Sequence, residues 1–381
     1  MRLLNLTGLM MKIAQVSPLY ESVPPKLYGG TERIVAYLTD ALVDQGHDVT
    51  LFASGDSQTK AQLVPICHSA LRLDHTVVDQ LAHHIVELQK VQEQLVDFDV
   101  IHYHIDYIHF PLSRINQKPQ LTTLHGRLDL LDLQDLYNHF SDMPVVSISD
   151  AQQKPLPQAN WIGTVYHGLP KNLCHYGAGE GNYVAFVGRI SPEKRVDRAI
   201  EIAKQANIRL KIAAKVDPVD RQYYEQEIKP LLNHPLIEFI GEIGEVEKET
   251  FLGNARALLF PIDWPEPFGM VMIEAMACGT PVIAFRNGSV PEVIDVGESG
   301  FTVESVSEAV EALNNIDLID RQGCREVFER RFLDTRMAHE YVELYEQMIE
   351  KGAYIFPPSR TTRPILEALS KDNLPSQLPK N

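Results

Sequence analysis

Two glutamates bracket the most informative stretch of the chain, Pro261-Ile-Asp-Trp-Pro-Glu266-Pro-Phe-Gly-Met-Val-Met-Ile-Glu274-Ala-Met-Ala-Cys-Gly-Thr-Pro281. The pattern reads as a Pro-containing loop that leaves a strand and enters a helix at about Gly269, ending at Gly279. Glu266 precedes a proline and is biased towards an extended backbone on the loop. Glu274 lies more than one turn inside the helix. Backbone N–H groups at Gly269, Met270 and Val271 would be free at the helix start, where the dipole favours negative charge. An anion held there would have a carboxylate on either side, and carboxylates accept paired hydroxyls well, so a sugar–phosphate ligand fits. A lone Glu is usually a solvated surface residue. Met272, Ile273, Ala275 and Met276 surround Glu274, however, and an unpaired carboxylate is expensive in so apolar a setting, so Glu274 is expected to have a defined partner.

Phe186-Val-Gly-Arg189-Ile-Ser-Pro-Glu-Lys194-Arg195 is the second constellation. It follows a strand and opens a helix read over 193–206, which puts Arg189 and Lys194 at the carboxyl edge of a sheet. A forked guanidinium and a point-charge ammonium together suit a diphosphate. Cations also oppose the dipole at a helix start, so packing preference alone does not explain them. In Tyr28-Gly29-Gly30-Thr31-Glu32-Arg33, adjacent glycines let the backbone approach a ligand and Thr31 is placed to cap the following helix. No G-x-G-x-x-G occurs in either loop, which excludes the dinucleotide fingerprint.

These residues need a scaffold, and the chain supplies one. Short β-rich runs alternate with helical patterns from end to end, the signature of parallel sheets built from βαβ units. Strands are read at 12–17, 49–53, 100–103, 121–124, 145–148 and 162–166, with a helix over 31–45. The pattern stalls between His167 and Asn182, then restarts with strands at 183–187, 209–213, 237–240, 257–260 and 282–285. The reading is α/β: two doubly wound Rossmann-like domains facing across a cleft, with ligand at the carboxyl ends of the strands. Residues 1–175 form the amino-terminal domain and 176–333 the second. Residues 334–352 form a helix packing back across the junction, and 353–381 a disordered tail.

Composition limits the function. Lys+Arg 35 against Asp+Glu 51 leaves a formal charge of -16 over 381 residues, which argues against a nucleic-acid binder. Cys67, Cys174, Cys278 and Cys324 form no C-x-x-C and read as reduced thiols in a cytoplasmic protein. The opening residues 1–10 are too short and too interrupted in their apolar core for a signal peptide, and Met11-Lys12 offers an alternative start. Nowhere do 18 consecutive apolar residues occur, so no membrane span is expected. Asp97-Phe-Asp99 mimics a metal-binding D-x-D but precedes its strand and reads as a polar turn. His102 and His104 share a strand face at the ligand end, yet no third ligand accompanies them, so acceptor contact or packing is favoured over zinc.

At its three motif segments the sequence strongly resembles the retaining family 4 glycosyltransferases of GT-B architecture. Glu266 and Glu274 match the family's E-x7-E within E-P-F-G…E-A-M-A-C-G-T-P-V, Gly188-Arg189…Glu193-Lys194 its diphosphate motif, and Gly29-Gly30 its first loop. The resemblance spans roughly Lys12 to Glu350. It implies a nucleotide-diphosphate sugar as donor, with Arg189 and Lys194 on the diphosphate, Glu266 and Phe268-Gly269-Met270 on the sugar, and Glu274 on the ribose. Thr123-Leu-His125-Gly126 matches the family's His near the transferred sugar. Ala213-Ala-Lys215-Val-Asp-Pro218 departs from the Gly-rich turn of many members, which leaves the base open.

The resemblance thus implies a hexose moved from a UDP- or GDP-sugar to a sugar, lipid or small-molecule acceptor, with retention and with no cofactor or metal. A lipid acceptor would bring membrane contact, for which the acidic balance gives no support. The competing readings are a sugar-nucleotide epimerase, exposed by donor isomerisation without acceptor, and a non-catalytic nucleotide-sugar binder. Glycoside hydrolysis needs a carboxylate pair roughly 5 Å apart across one bond, whereas the match assigns Glu266 and Glu274 to different parts of the donor.

Overall fold

The structure is a computed structural model that describes residues 4–5, 8–26, 29–116 and 118–351. Tyr28 and the expected tail 353–381 lie outside the described residues. Near the start, Leu4–Asn5 pairs antiparallel with Gly8–Leu9.

The first domain is a sheet of β1 (Lys12–Val16), β2 (Asp48–Ala53), β3 (Gln62–Pro65), β4 (Val100–Tyr103), β5 (Gln120–Thr123), β6 (Pro144–Ser147) and β7 (Asn160–Thr164). Their spatial order is β3-β2-β1-β4-β5-β6-β7, and each neighbouring pair runs parallel. Strand side chains alternate between faces. Ile13, Val49 and Val100 therefore enter one core layer, while Ala14, Phe52, Ile101 and Tyr103 enter the layer on the other side. Helix α1 (Gly30–Asp44) closes the first layer with Ile34, Leu38 and Leu42, and α2 (Gln80–Glu93) closes the second with Leu88 and Val91. The edge strand β3 and α2 go beyond the elements read from the sequence.

The second domain repeats the plan. Strands β8 (Tyr183–Arg189), β9 (Arg209–Lys215), β10 (Ile237–Gly241), β11 (Leu258–Phe260), β12 (Val282–Phe285) and β13 (Gly300–Val303) stand in the order β10-β9-β8-β11-β12-β13, again parallel. In both sheets the order reverses direction beside the first strand, which leaves a crevice at the carboxyl ends. Helices α3 (Val196–Gln205), α4 (Glu245–Asn254), α5 (Met270–Ala277) and α6 (Arg321–Arg331) cover this sheet.

Two helix starts differ from the sequence reading. Thr31 does not cap α1: Gly29 is the N-cap, the helix begins at Gly30, and no side chain caps it. The helix read from Glu193 begins at Val196. Pro192–Lys194 forms a separate 3-10 turn, and Arg195 takes a left-handed backbone (φ 52°) that breaks the two apart. Lys194 therefore sits on a tight turn ahead of the helix and not in its first turn.

The last helix, α7 (Asp334–Glu350), starts at the junction of the two domains, where Leu333 bridges to Leu169. It then buries Met337, Tyr341, Leu344, Tyr345 and Met348 in the first domain's core. One helix thus ties the two domains and delivers two tyrosine hydroxyls beneath the cleft.

Candidate active site

The loop from Pro261 to Gly269 is held from three sides. Ser289 donates its N–H to the Glu266 carbonyl (2.9 Å) and its hydroxyl to the Phe268 carbonyl (2.8 Å). Ser149, from the first domain, donates its hydroxyl to the Pro267 carbonyl (2.6 Å). Gly288 carries φ 55°, and a Cβ there would lie 2.3 Å from the Glu266 backbone, so only glycine lets the two segments touch. Gly269 is the N-cap of α5 with φ 80°, and a Cβ there would meet Met272 at 2.8 Å. No side chain caps α5, so its first backbone N–H groups remain for an anion. Met270 and Val271, the first two helical residues, are half-buried, and Phe268 is buried.

Glu266 and Glu274 both sit in this segment, and both are paired. The Glu266 carboxylate accepts from Lys194 Nζ (2.5 Å) and from Trp264 Nε1 (2.9 Å). Lys194 also lies 5.0 Å from the Trp264 ring centre, within cation–π range. Glu274 is 3% exposed. Its Oε1 accepts from Arg33 Nη1 (2.7 Å) and Lys248 Nζ (2.8 Å). Arg33 reaches across from α1, and Glu245 on α4 closes the group by pairing with both Arg33 and Lys248. Burial alone would raise the Glu274 carboxyl, but Lys248 and Arg33 outweigh it and hold it at about 2. The partner expected from its apolar neighbours is thus a pair of cations, one from each domain.

Arg189 ends β8 and faces three acids: Glu193 (2.6 Å), Asp220 (3.2 Å) and Asp217 (3.9 Å). Lys215 pairs with Asp217 at 2.8 Å. The two cations expected to greet a diphosphate are therefore already engaged by local carboxylates, Arg189 by these acids and Lys194 by Glu266. An incoming diphosphate would have to draw them away.

The ends of β4 and β5 in the first domain carry a chain of neutral groups. His125 follows β5; its Nε2 is 2.9 Å from His104 Nδ1. Its ring stacks on His167 (centroids 5.4 Å), which in turn meets Phe268 edge-on (4.9 Å). Burial depresses all four histidines here, His125 down to about 3 and His102, His104 and His167 far below the usual imidazole range. They stand neutral at physiological pH. His102 and His104, weighed as zinc ligands, instead have both nitrogens hydrogen-bonded, His102 to Tyr345 and Thr123, and His104 to His125 and Gln15. Among the described residues no group of three or more His, Cys, Asp or Glu is arranged to hold a metal ion. Asp99 accepts from the Lys12 N–H (2.9 Å) at the amino end of the sheet, far from the cleft side. Gly29 is buried against Pro25, where a Cβ would approach to 2.9 Å, while Gly30 faces open space.

Residues 28–177 match the family described as Glycosyltransferase Family 4, and residues 176–327 match Glycosyl transferases group 1. The chain belongs to the family 4, group 1 glycosyltransferases. Among its relatives is the N-acetyl-alpha-D-glucosaminyl L-malate synthase of Bacillus anthracis, 24% identical over 84% of this chain and 94% of the relative. Solved glycosyltransferase structures share the fold. Sucrose-phosphate synthase from Thermosynechococcus elongatus superposes with a TM-score of 0.73 at 18% identity, over 90% of this chain and 100% of that one. Anabaena Alr3699/HepE, in complex with UDP and glucose, gives 0.68 at 18% identity, over 88% and 100%. The GT-B architecture is therefore shared across the cleft-forming domains.

In this glycosyltransferase the structure brings Lys194 to Glu266 on the loop that leads through Phe268 and Gly269 into α5, which carries Glu274, and His125 reaches Phe268 through His167; Arg189 stands apart among Glu193, Asp217 and Asp220. Lys248, Trp264, His167 and Ser289 escaped sequence reasoning as members of the site, while Arg33 and His104, which fall in segments expected to border the acceptor, gain their partners only in the fold. A buried carboxylate demanding cations was the one available signal for Arg33 and Lys248. Among the described residues no helix is long and apolar enough to cross a membrane.

Proposed function

We propose that the enzyme is a retaining hexosyltransferase that moves a hexose from a UDP- or GDP-sugar to an acceptor hydroxyl in the cytoplasm, without a divalent metal. The donor belongs to residues 176–333 and the acceptor to 1–175, with 334–352 bracing the two. The observation that carries the reading is the pair of carboxylates flanking the uncapped start of α5, each already supplied with cations. The presence of UDP and UDP-glucose in Alr3699/HepE supports a nucleotide-sugar donor.

On this reading the diphosphate sits against the N-terminus of α5 and draws Arg189 and Lys194 from their carboxylates. Both cations and the helix dipole then oppose the negative charge that grows as the C1–O bond to phosphate breaks. Glu266, released from Lys194, accepts hydroxyls of the hexose together with the Phe268-Gly269-Met270-Val271 backbone. Glu274 takes the ribose hydroxyls, and Gly29-Gly30 borders the donor from the first domain. His125 lies beside the transferred sugar. The acceptor oxygen bonds to C1 on the face the phosphate leaves, and its proton passes to the departing phosphate oxygen. Retention rests on the family resemblance. Two assays test it: the anomeric configuration of the product by NMR, and activity after exhaustive chelation. An inverted product would overturn the family mechanism. Loss of activity on chelation, restored by a divalent ion, would sink the metal-free account.

A further inference from the structure

The neutral wall contains a continuous chain of hydrogen bonds whose direction is set at one residue. Gln15, in β1, is fully buried and presents its two amide atoms to different partners. Its Nε2 donates to the Tyr345 hydroxyl (3.0 Å), and its Oε1 lies 2.8 Å from His104 Nε2. An amide oxygen only accepts, so His104 must carry its proton on Nε2. A neutral imidazole has one donor and one acceptor; His104 Nδ1 is then an acceptor. It faces His125 Nε2 at 2.9 Å, so His125 carries its proton there and is left with a bare lone pair on Nδ1. That Nδ1 is buried and has no hydrogen-bond partner. The other branch is consistent: Tyr345 donates to His102 Nδ1 (2.7 Å), and His102 Nε2 donates to Thr123 Oγ1 (2.7 Å).

We infer that Gln15 and His104 are positioning residues that lock His125 in its Nε2–H form, so that His125 Nδ1 serves as an acceptor for a sugar hydroxyl of the donor. The inference rests on the proposed function for its ligand and on the hydrogen-bond chain alone for the locked form. An unpaired buried acceptor costs free energy that an entering hydroxyl recovers. A deoxy or O-methyl sugar at that position has no proton to give. Such a site, built to hydrogen-bond a hydroxyl, discriminates against the analogue far more strongly than an apolar pocket does. Gln15 and His104 would then shape donor choice without touching the donor.

The test is the imidazole tautomer, read by long-range proton–nitrogen correlation NMR on the full chain labelled with nitrogen-15. The expected result is the Nε2–H form for both His104 and His125 in the ligand-free protein. The Nδ1–H form for His125 would overturn the inference, and this measurement needs no variant to fold. Gln15→Leu should remove the bias and mix the two forms at His125. An unchanged His125 spectrum in Gln15→Leu would show that Gln15 sets nothing. Titration with UDP-glucose should move the His125 Nδ1 resonance upfield and leave that of His102 in place. Saturable binding without that shift would overturn the acceptor role. Failure of every nucleotide sugar to bind, with the Nε2–H form intact, would instead count against the donor reading.

Discussion

The two walls of the cleft solve the same physical problem in opposite ways. Each buries polar groups that water would otherwise satisfy. On the first domain's wall, the histidines give up their charge and share protons along a chain from Tyr345 to His125. At α5 of the second domain, Glu274 keeps its charge because Arg33 from the first domain and Lys248 from the second meet it at hydrogen-bond distance. Charge is thus gathered at α5, where Arg33 of the first domain joins Lys248 and Glu245 of the second, and is absent from the histidine chain. A ligand with an anionic end and a neutral polyhydroxy end would find each wall suited to one of them. The difference also sets how fragile each wall is, because a charge stripped of its partner is costlier to bury than a hydroxyl stripped of one bond.

The largest effect should come from breaking the charged wall. Glu274→Ala leaves Arg33 and Lys248 with Glu245 as the carboxylate they share, and should destabilise the protein by about 3–5 kcal/mol in urea unfolding. A matched change on the neutral wall, Tyr345→Phe, removes one hydroxyl and should cost about 1–2 kcal/mol. Equal costs would dissolve the contrast.

Lys194→Ala comes next, read as activity. It removes the cation expected to leave Glu266 for the diphosphate, and donor kcat/KM should fall about 100-fold. Arg189→Ala should cost less, about tenfold, because three acids already share that guanidinium in the resting protein. Full activity of Lys194→Ala at sub-saturating donor would remove it from the site.

Acid should separate the walls by pH. A histidine held below its unfolded pKa of about 6.5 binds its proton in the unfolded chain first, so stability falls as pH drops below that value. His125 contributes this loss down to about 3, and each such histidine adds about 1.4 kcal/mol per pH unit. Glu274 has the depressed carboxylate pattern. Its stabilisation is present above the unfolded pKa of about 4.5 and fades as pH falls towards about 2. Stability against pH should therefore begin to decline near 6.5, with the ion cluster failing only below 4.5. Replacing His102 with Asn should flatten the slope between those values. An unchanged slope would mean that the neutral wall does not take up protons on unfolding.

The smallest effect sharpens the loop rather than either wall. Ser289→Ala removes the hydroxyl bond to the Phe268 carbonyl and should cost about 1 kcal/mol, with a rise in donor KM if that loop orients the sugar.

Much of this was legible in the sequence where the signal was local. The alternation of β-rich and helical runs specified two parallel sheets, because each βαβ unit must fold back over its own strand. Glu274 announced that it needed a partner because its neighbours in the helix are apolar. The partner itself was invisible: Arg33 lies 241 residues away, joined only by the closure of two domains. His102 and His104 were visible as a pair, but their roles depend on Tyr345, Thr123 and Gln15, which meet only when α7 packs under the first sheet. Thr31 was misread as a cap since side-chain type suggested it, whereas Gly29 and Gly30 let the helix begin one step earlier. The helix at Val196 was read too early because the left-handed turn at Arg195 leaves no mark in composition.

The central claim is that the cleft binds a nucleotide sugar through protein cations without a metal. Thermal unfolding with a panel of UDP-, GDP- and ADP-sugars, in the presence of EDTA, tests it most directly, because a ligand that binds only the folded state raises Tm. The account predicts that at least one sugar nucleotide raises Tm with EDTA present, and that Lys194→Ala abolishes the rise. A panel with no shift until a divalent ion is added would contradict it.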